Sequence, residues 1–142
     1  MFKNRKNNKK GFTLVEVIVV LVILAILAAI MIPALTGYID KANKKTAVVE
    51  GRTVLLALQT EIAENYTPGT TGNIAITASN TGVKVGDVDV SADFEKLVDV
   101  KDSSKKLKDV TTEGSKITGF KYQASSGYPV TYGDGKFTVA DK

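Results

Sequence analysis

The acid that stands out for chemistry is Glu16, set at the mouth of an apolar run from Val17 to Ile32 and four residues after Phe12. A carboxylate in apolar surroundings is costly unless it is paired, so its placement asks for a partner. Other reactive options are few. The chain has no cysteine, which excludes a disulfide, a thiolate nucleophile and a Cys-ligated metal. It has no histidine, the commonest general base and metal ligand. Asp, Glu, Lys, Ser and Tyr remain, and no spacing among them matches a catalytic constellation. Asp87, Asp89 and Asp93, or Asp134 with Asp141, could be read as cation ligands. Without EF-hand spacing, and with Gly133-Asp134-Gly135 reading as a turn, no metal site and no cofactor is assigned. Lys101, Lys105, Lys106 and Lys108 form a basic cluster, but Asp99, Asp102 and Asp109 are interleaved, so DNA binding is not indicated.

The elements around Glu16 are a basic leader and a membrane-length helix. The first eleven residues hold Lys3, Arg5, Lys6, Lys9 and Lys10 and no acid, whereas the remainder carries 14 basic against 15 acidic residues. A nucleic-acid reading of the basic pI would therefore rest mainly on the leader. Val17–Ile32 contains twelve Val, Ile or Leu residues, three Ala and one Met. Those twelve contribute about −4 to −7 kcal/mol toward insertion, more than a terminal acid opposes. As a helix, residues 12–35 extend about 36 Å, enough to cross a hydrocarbon core. Five basic residues precede the span and Lys41, Lys44 and Lys45 follow it, which places the N-terminus in the cytoplasm. A signal peptide would have a shorter apolar region followed by a small-x-small cleavage site, and none follows here.

Lys10-Gly11-Phe12-Thr13-Leu14-Val15-Glu16 resembles the processing site of type IV pilins and of the related pseudopilins of secretion and competence systems. The motif covers the first quarter of the chain. The resemblance implies that a prepilin peptidase cuts after Gly11 and methylates the new amine of Phe12. It also implies that Glu16 serves assembly, and that Pro33 occupies the place of a helix-bending proline. The physical logic agrees: Glu16 cannot easily reach the amine of its own rigid helix, whereas the Phe12 amine of a neighbouring copy is a suitable partner. Self, the peptidase, an ATP-driven inner-membrane assembly machinery and membrane lipid before assembly are the partners implied. The implied location is the cytoplasmic membrane for the precursor and a surface pilus afterwards. The reading is structural rather than enzymatic. Its alternatives are a major pseudopilin of type II secretion or competence and, from another class, a membrane-anchored extracellular binding domain. Some type II pseudopilins bind calcium near the C-terminus. Many Gram-negative pilins carry a C-terminal disulfide that this chain lacks.

Beyond the span, Ala47, Gly51, Val54, Leu55, Leu58 and Ile62 form one apolar stripe, with Lys44, Lys45, Glu50, Arg52, Gln59 and Glu61 on the other directions. One helix is predicted from about Phe12 to Asn65, stopped by Asn65-Tyr66-Thr67-Pro68-Gly69. Short strands are expected at 73–77 and around Val85–Val90, and a helix at 92–98 capped by Ser91, with Phe94, Leu97 and Val98 as its apolar face. Lys101–Lys108 reads as a loop. Ile117–Gln123, Tyr128–Tyr132 and Lys136–Ala140 close the chain as strands, the last two joined at Gly133-Asp134-Gly135. Pro129 suits an edge strand or a strand start. Tyr122, Tyr128 and Tyr132 could form an adhesive surface or pack in the sheet. The expected class is α+β, a long N-terminal helix packed on a small antiparallel β-sheet head. The expected segments are the leader 1–11, a transmembrane and assembly half-helix 12–35, an amphipathic half 36–66 and a β-rich head 67–142.

Overall fold

The computed structural model describes residues 11–65 and 74–142. The leader before Gly11 and the expected loop at 67–72 fall outside them, as does Asn73 of the first strand. Helix α1 spans Leu14–Glu64, within two residues of the expected ends. The chain divides into two compact units, Met1–Ile39 and Asp40–Lys142.

In the first unit every described residue of 11–39 is exposed. The helix is long and apolar enough to cross a membrane. Valines, leucines and isoleucines point in all directions and none finds a protein partner, which is how a segment built for a non-aqueous surround is patterned. The backbone stays helical through Pro33, whose carbonyl accepts the Thr36 hydroxyl at 2.8 Å.

The second unit is α+β. Its stretch of α1 buries Ala47, Gly51, Val54, Ala57, Leu58, Glu61 and Ile62. Five of the six stripe residues are therefore buried, and Leu55 is partly so. Glu61 is a correction: it was assigned to the polar directions, yet it is 2% exposed. Its position three residues beyond Leu58 puts it on the same face.

Among the described residues seven strands form two antiparallel sheets. β1 (Ile76–Ser79), β2 (Gly82–Val85) and β3 (Val88–Asp89) make the smaller sheet in sequential order. Helix α2 (Ser91–Val98) follows, burying Phe94 and Val98, while Leu97 is exposed. Ser91 does not cap it. The N-cap is Val90, and the Ser91 hydroxyl instead accepts the Val83 N–H at 2.9 Å while the Asp89 carboxylate accepts the Ser91 N–H at 3.0 Å.

The expected loop at Lys101–Lys108 is a short helix α3 (Ser103–Lys106) running into β4 (Leu107–Glu113). β4 escapes a period-two reading because Leu107 alone along it is buried. It opens the larger sheet, β4-β5-β6-β7, with β5 at Lys116–Gln123, β6 at Pro129–Gly133 and β7 at Lys136–Val139. Pro129 starts β6, an inner strand. The β6–β7 turn is Asp134-Gly135 with φ of 50° and 75°, the left-handed pair of a type I′ hairpin.

Two register shifts separate β4 from β5. Thr118 is the extra residue on β5, and this bulge changes the face parity, so Ile117, Phe120 and Tyr122 are all buried. On β4 the compensating irregularity includes Asp109, held at φ 52°.

Helix and large sheet meet closely at Gly51, where an added Cβ would lie 2.9 Å from Val130 Cγ1 and 3.3 Å from Phe137 Cδ1. Only a residue without a side chain fits. Phe120, Tyr132 and Phe137 pack together there, with ring centroids 4.8 to 6.3 Å apart. Tyr122 and Tyr128 are buried and Tyr132 is partly buried, so sheet packing accounts for the three tyrosines.

Polar ties reinforce the seam. Glu50 accepts the Tyr122 hydroxyl at 2.6 Å and the Ser125 N–H at 3.0 Å. Burial, followed by this carboxylate, pushes the Tyr122 phenol upward, so it stays a donor. Nearer the start of this unit Asp40 accepts the Tyr128 hydroxyl, and Lys44 bridges Asp40 at 3.2 Å and Asp141 at 2.5 Å. The Tyr128 hydroxyl, then Lys44, holds the Asp40 carboxyl below its ordinary value.

Candidate functional site

Gly11 and Phe12 precede the first helical residue, and Phe12 is 89% exposed. Among the described residues no side chain crowds Gly11, where an added Cβ would meet nothing within 4 Å. The peptide bond between them is therefore open to an enzyme.

Glu16 sits in the first turn of α1 and is held by the residue before the helix. Its Oε2 accepts the Thr13 N–H at 2.8 Å and the Thr13 hydroxyl at 2.9 Å. In return the Thr13 Oγ1 accepts the Glu16 N–H at 3.3 Å. This reciprocal pattern is a capping box: the residue before the helix and the third residue within it satisfy each other's backbone donors. The negative charge also sits at the positive end of the helix dipole.

Thr13 is the residue that sequence reasoning passed over. Its signal was present, since Thr-x-x-Glu immediately before an apolar run is the sequence form of this cap. Glu16 therefore has a partner within its own chain, where the sequence reading supplied only one from a neighbouring copy. One carboxylate oxygen, Oε1, makes no hydrogen bond among the described residues.

The remaining candidates are scattered. Asp134 lies in the hairpin turn, whereas Asp141 pairs with Lys44. Asp89 engages Ser91, and Asp93 pairs with Lys96 at 2.8 Å. Among the described residues no group of three or more Asp or Glu is arranged to hold a metal ion. Of the interleaved acids, Asp102 pairs with Lys105 at 2.6 Å and Asp109 with Lys121 at 2.8 Å.

Residues 6–32 match the family model described as the prokaryotic N-terminal methylation motif. The chain carries the type IV prepilin and pseudopilin signature, and with it a helix suited to a membrane-anchored precursor. The match supports a type IV pilin-like or pseudopilin protein, a structural class whose signature implies a prepilin peptidase substrate and filament assembly. No solved structure matches the chain.

Proposed function

We propose that this protein is the structural subunit of a type IV pilus filament. A prepilin peptidase cleaves it after Gly11 and methylates the amine of Phe12, and copies then polymerise through residues 12–35. Glu16 receives the Phe12 amine of a neighbouring copy, and Pro33 supplies the bend that lets helices pack.

The observation that carries the reading is the signature at residues 6–32 ending in a helix whose apolar side chains are exposed all round. A helix of this kind needs lipid first and other helices afterwards. Glu16 limits where it can rest, because a carboxylate leaves its cap only for a partner at least as good.

Mass spectrometry of the mature chain tests the processing step. The expected N-terminus is methylated Phe12, and an intact chain would leave only a membrane-anchored extracellular domain. Glu16→Ala should still insert and be cleaved but assemble poorly, and filament yield equal to wild type would sink the assembly role. Electron microscopy of cells separates long surface fibres from the short filament of a type II secretion or competence pseudopilin.

A further inference from the structure

The basic cluster that seemed compensated in sequence is only half compensated in space. Lys105, Lys106, Lys108 and Lys121 line one recess of about 390 Å³ on the large sheet, with Gln123 and Thr131 beside them. The volume lies in the range of small-ligand clefts, about 300 to 1,000 Å³. Two elements converge to make it: α3 leads directly into β4, and Lys108 on β4 stands directly opposite Lys121 on β5. Like charges facing each other across strands are unfavourable, and the chain accommodates them with Asp109. Its left-handed backbone at the β4 irregularity accompanies a carboxylate that reaches Lys121 at 2.8 Å.

Asp102 occupies Lys105 in the same way, at 2.6 Å. Neither Lys106 nor Lys108 makes an ion pair among the described residues. No carboxylate lines the recess itself. Thr131 also lines the recess, while its backbone carbonyl accepts the Thr138 hydroxyl at 3.4 Å.

We infer that this recess is a binding site for a compact phosphate-bearing polyanion. The lysines favour phosphate over a planar carboxylate. An ammonium is a point charge without the fork that grips a carboxylate in two places, and the wall holds no arginine. Two ammonium groups without a contact ion pair, Lys106 and Lys108, in one concavity suit a ligand with two or more charges close together. The site lies wholly in the second unit and does not depend on filament assembly.

The test uses the full chain in non-ionic detergent, titrated calorimetrically with sodium tripolyphosphate at low salt. Saturable one-to-one binding is expected, and the double variant Lys106→Gln/Lys108→Gln should weaken it about tenfold or more, with the remainder lost at high salt. Lys108 is exposed and Lys106 half-buried, and unchanged circular dichroism will confirm that the double variant keeps the fold. Lys41→Gln/Lys45→Gln removes the same charge from α1 and should leave binding intact. Absence of saturable binding, or equal loss in both variants, would overturn the assignment. Tighter binding of a single-stranded oligonucleotide than of tripolyphosphate would also overturn it, by pointing to an extended backbone rather than a compact anion.

Discussion

Replacing Glu61 should make the head more stable, and increasingly so as the pH rises. The residue is 2% exposed, and its Oε1 has no hydrogen-bond partner among the described residues. Burial, reinforced by Glu64 and Asp93, raises its pKa above the ordinary 4.5. With its folded pKa raised, the folded state holds a proton that the unfolded state has released. Stability therefore falls as pH climbs from about 4.5 toward the folded value, and levels off above it. An unsatisfied buried polar group costs about 1 to 3 kcal/mol even when neutral. Each unit of pKa elevation adds about 1.4 kcal/mol once the pH exceeds the folded pKa. Glu61→Leu removes both penalties at little change in volume. At about 4 °C per kcal/mol for a unit of this size, loss of the polar-group penalty alone raises the Tm by about 4 to 12 °C, and loss of the charge penalty adds to that at pH 8. Glu61→Gln separates the two contributions, since it keeps a polar group in place but cannot ionise. Thermal melts of the full chain in non-ionic detergent at pH 5 and pH 8 provide the assay. A Glu61→Leu melt at or below wild type at pH 8 would refute the reasoning, as would a wild-type to Glu61→Leu difference that does not widen with pH.

Overpacking of Gly51→Ala against Val130 should cost about 1 to 3 kcal/mol, partly offset by the roughly 1 kcal/mol gained in helix propensity, a net loss of up to about 2 kcal/mol that a denaturant melt will report. Glu50→Ala strips the buried Tyr122 hydroxyl of its acceptor and should cost about 1 to 3 kcal/mol, with Tyr122→Phe restoring much of the loss in the double variant. Thr13→Ala removes the cap and should weaken the helix start by about 0.5 to 2 kcal/mol, read as faster amide exchange over residues 14–17 in micelles. Asp40 has its carboxyl lowered, so its contribution is present above pH 3.8 and lost as the pH falls through the folded value. Asp40→Asn should therefore flatten the acid limb of the stability curve.

The helix and its two characters were legible because their periods are long and uninterrupted. Sixteen apolar residues after Glu16 admit one reading, and Ala47, Gly51, Val54, Leu58 and Ile62 repeat often enough to mark a face. The Asp134-Gly135 hairpin was legible for a local reason, since both positions need positive φ. β4 was hidden because a bulge breaks its alternation and one buried residue cannot announce a strand. Glu61 was hidden by its own charge, although its spacing from Leu58 was correct for the core. At the N-terminus, the motif drew attention to Gly11, Phe12 and Glu16, while Thr13 passed as a spacer. The recess was out of reach of a linear reading, because Lys121 joins the cluster only through strand register.

On the proposed route, the Thr13–Glu16 cap turns subunit joining into an exchange reaction. Before joining, the carboxylate is already satisfied on one oxygen, so the precursor can wait at the membrane edge without an orphaned acid driving it into wrong contacts. On the proposed route, a neighbour's amine competes with a threonine rather than filling a vacancy. The driving force is then the difference between two pairings, smaller than the new pairing alone, which favours reversible docking and lets mismatched copies leave.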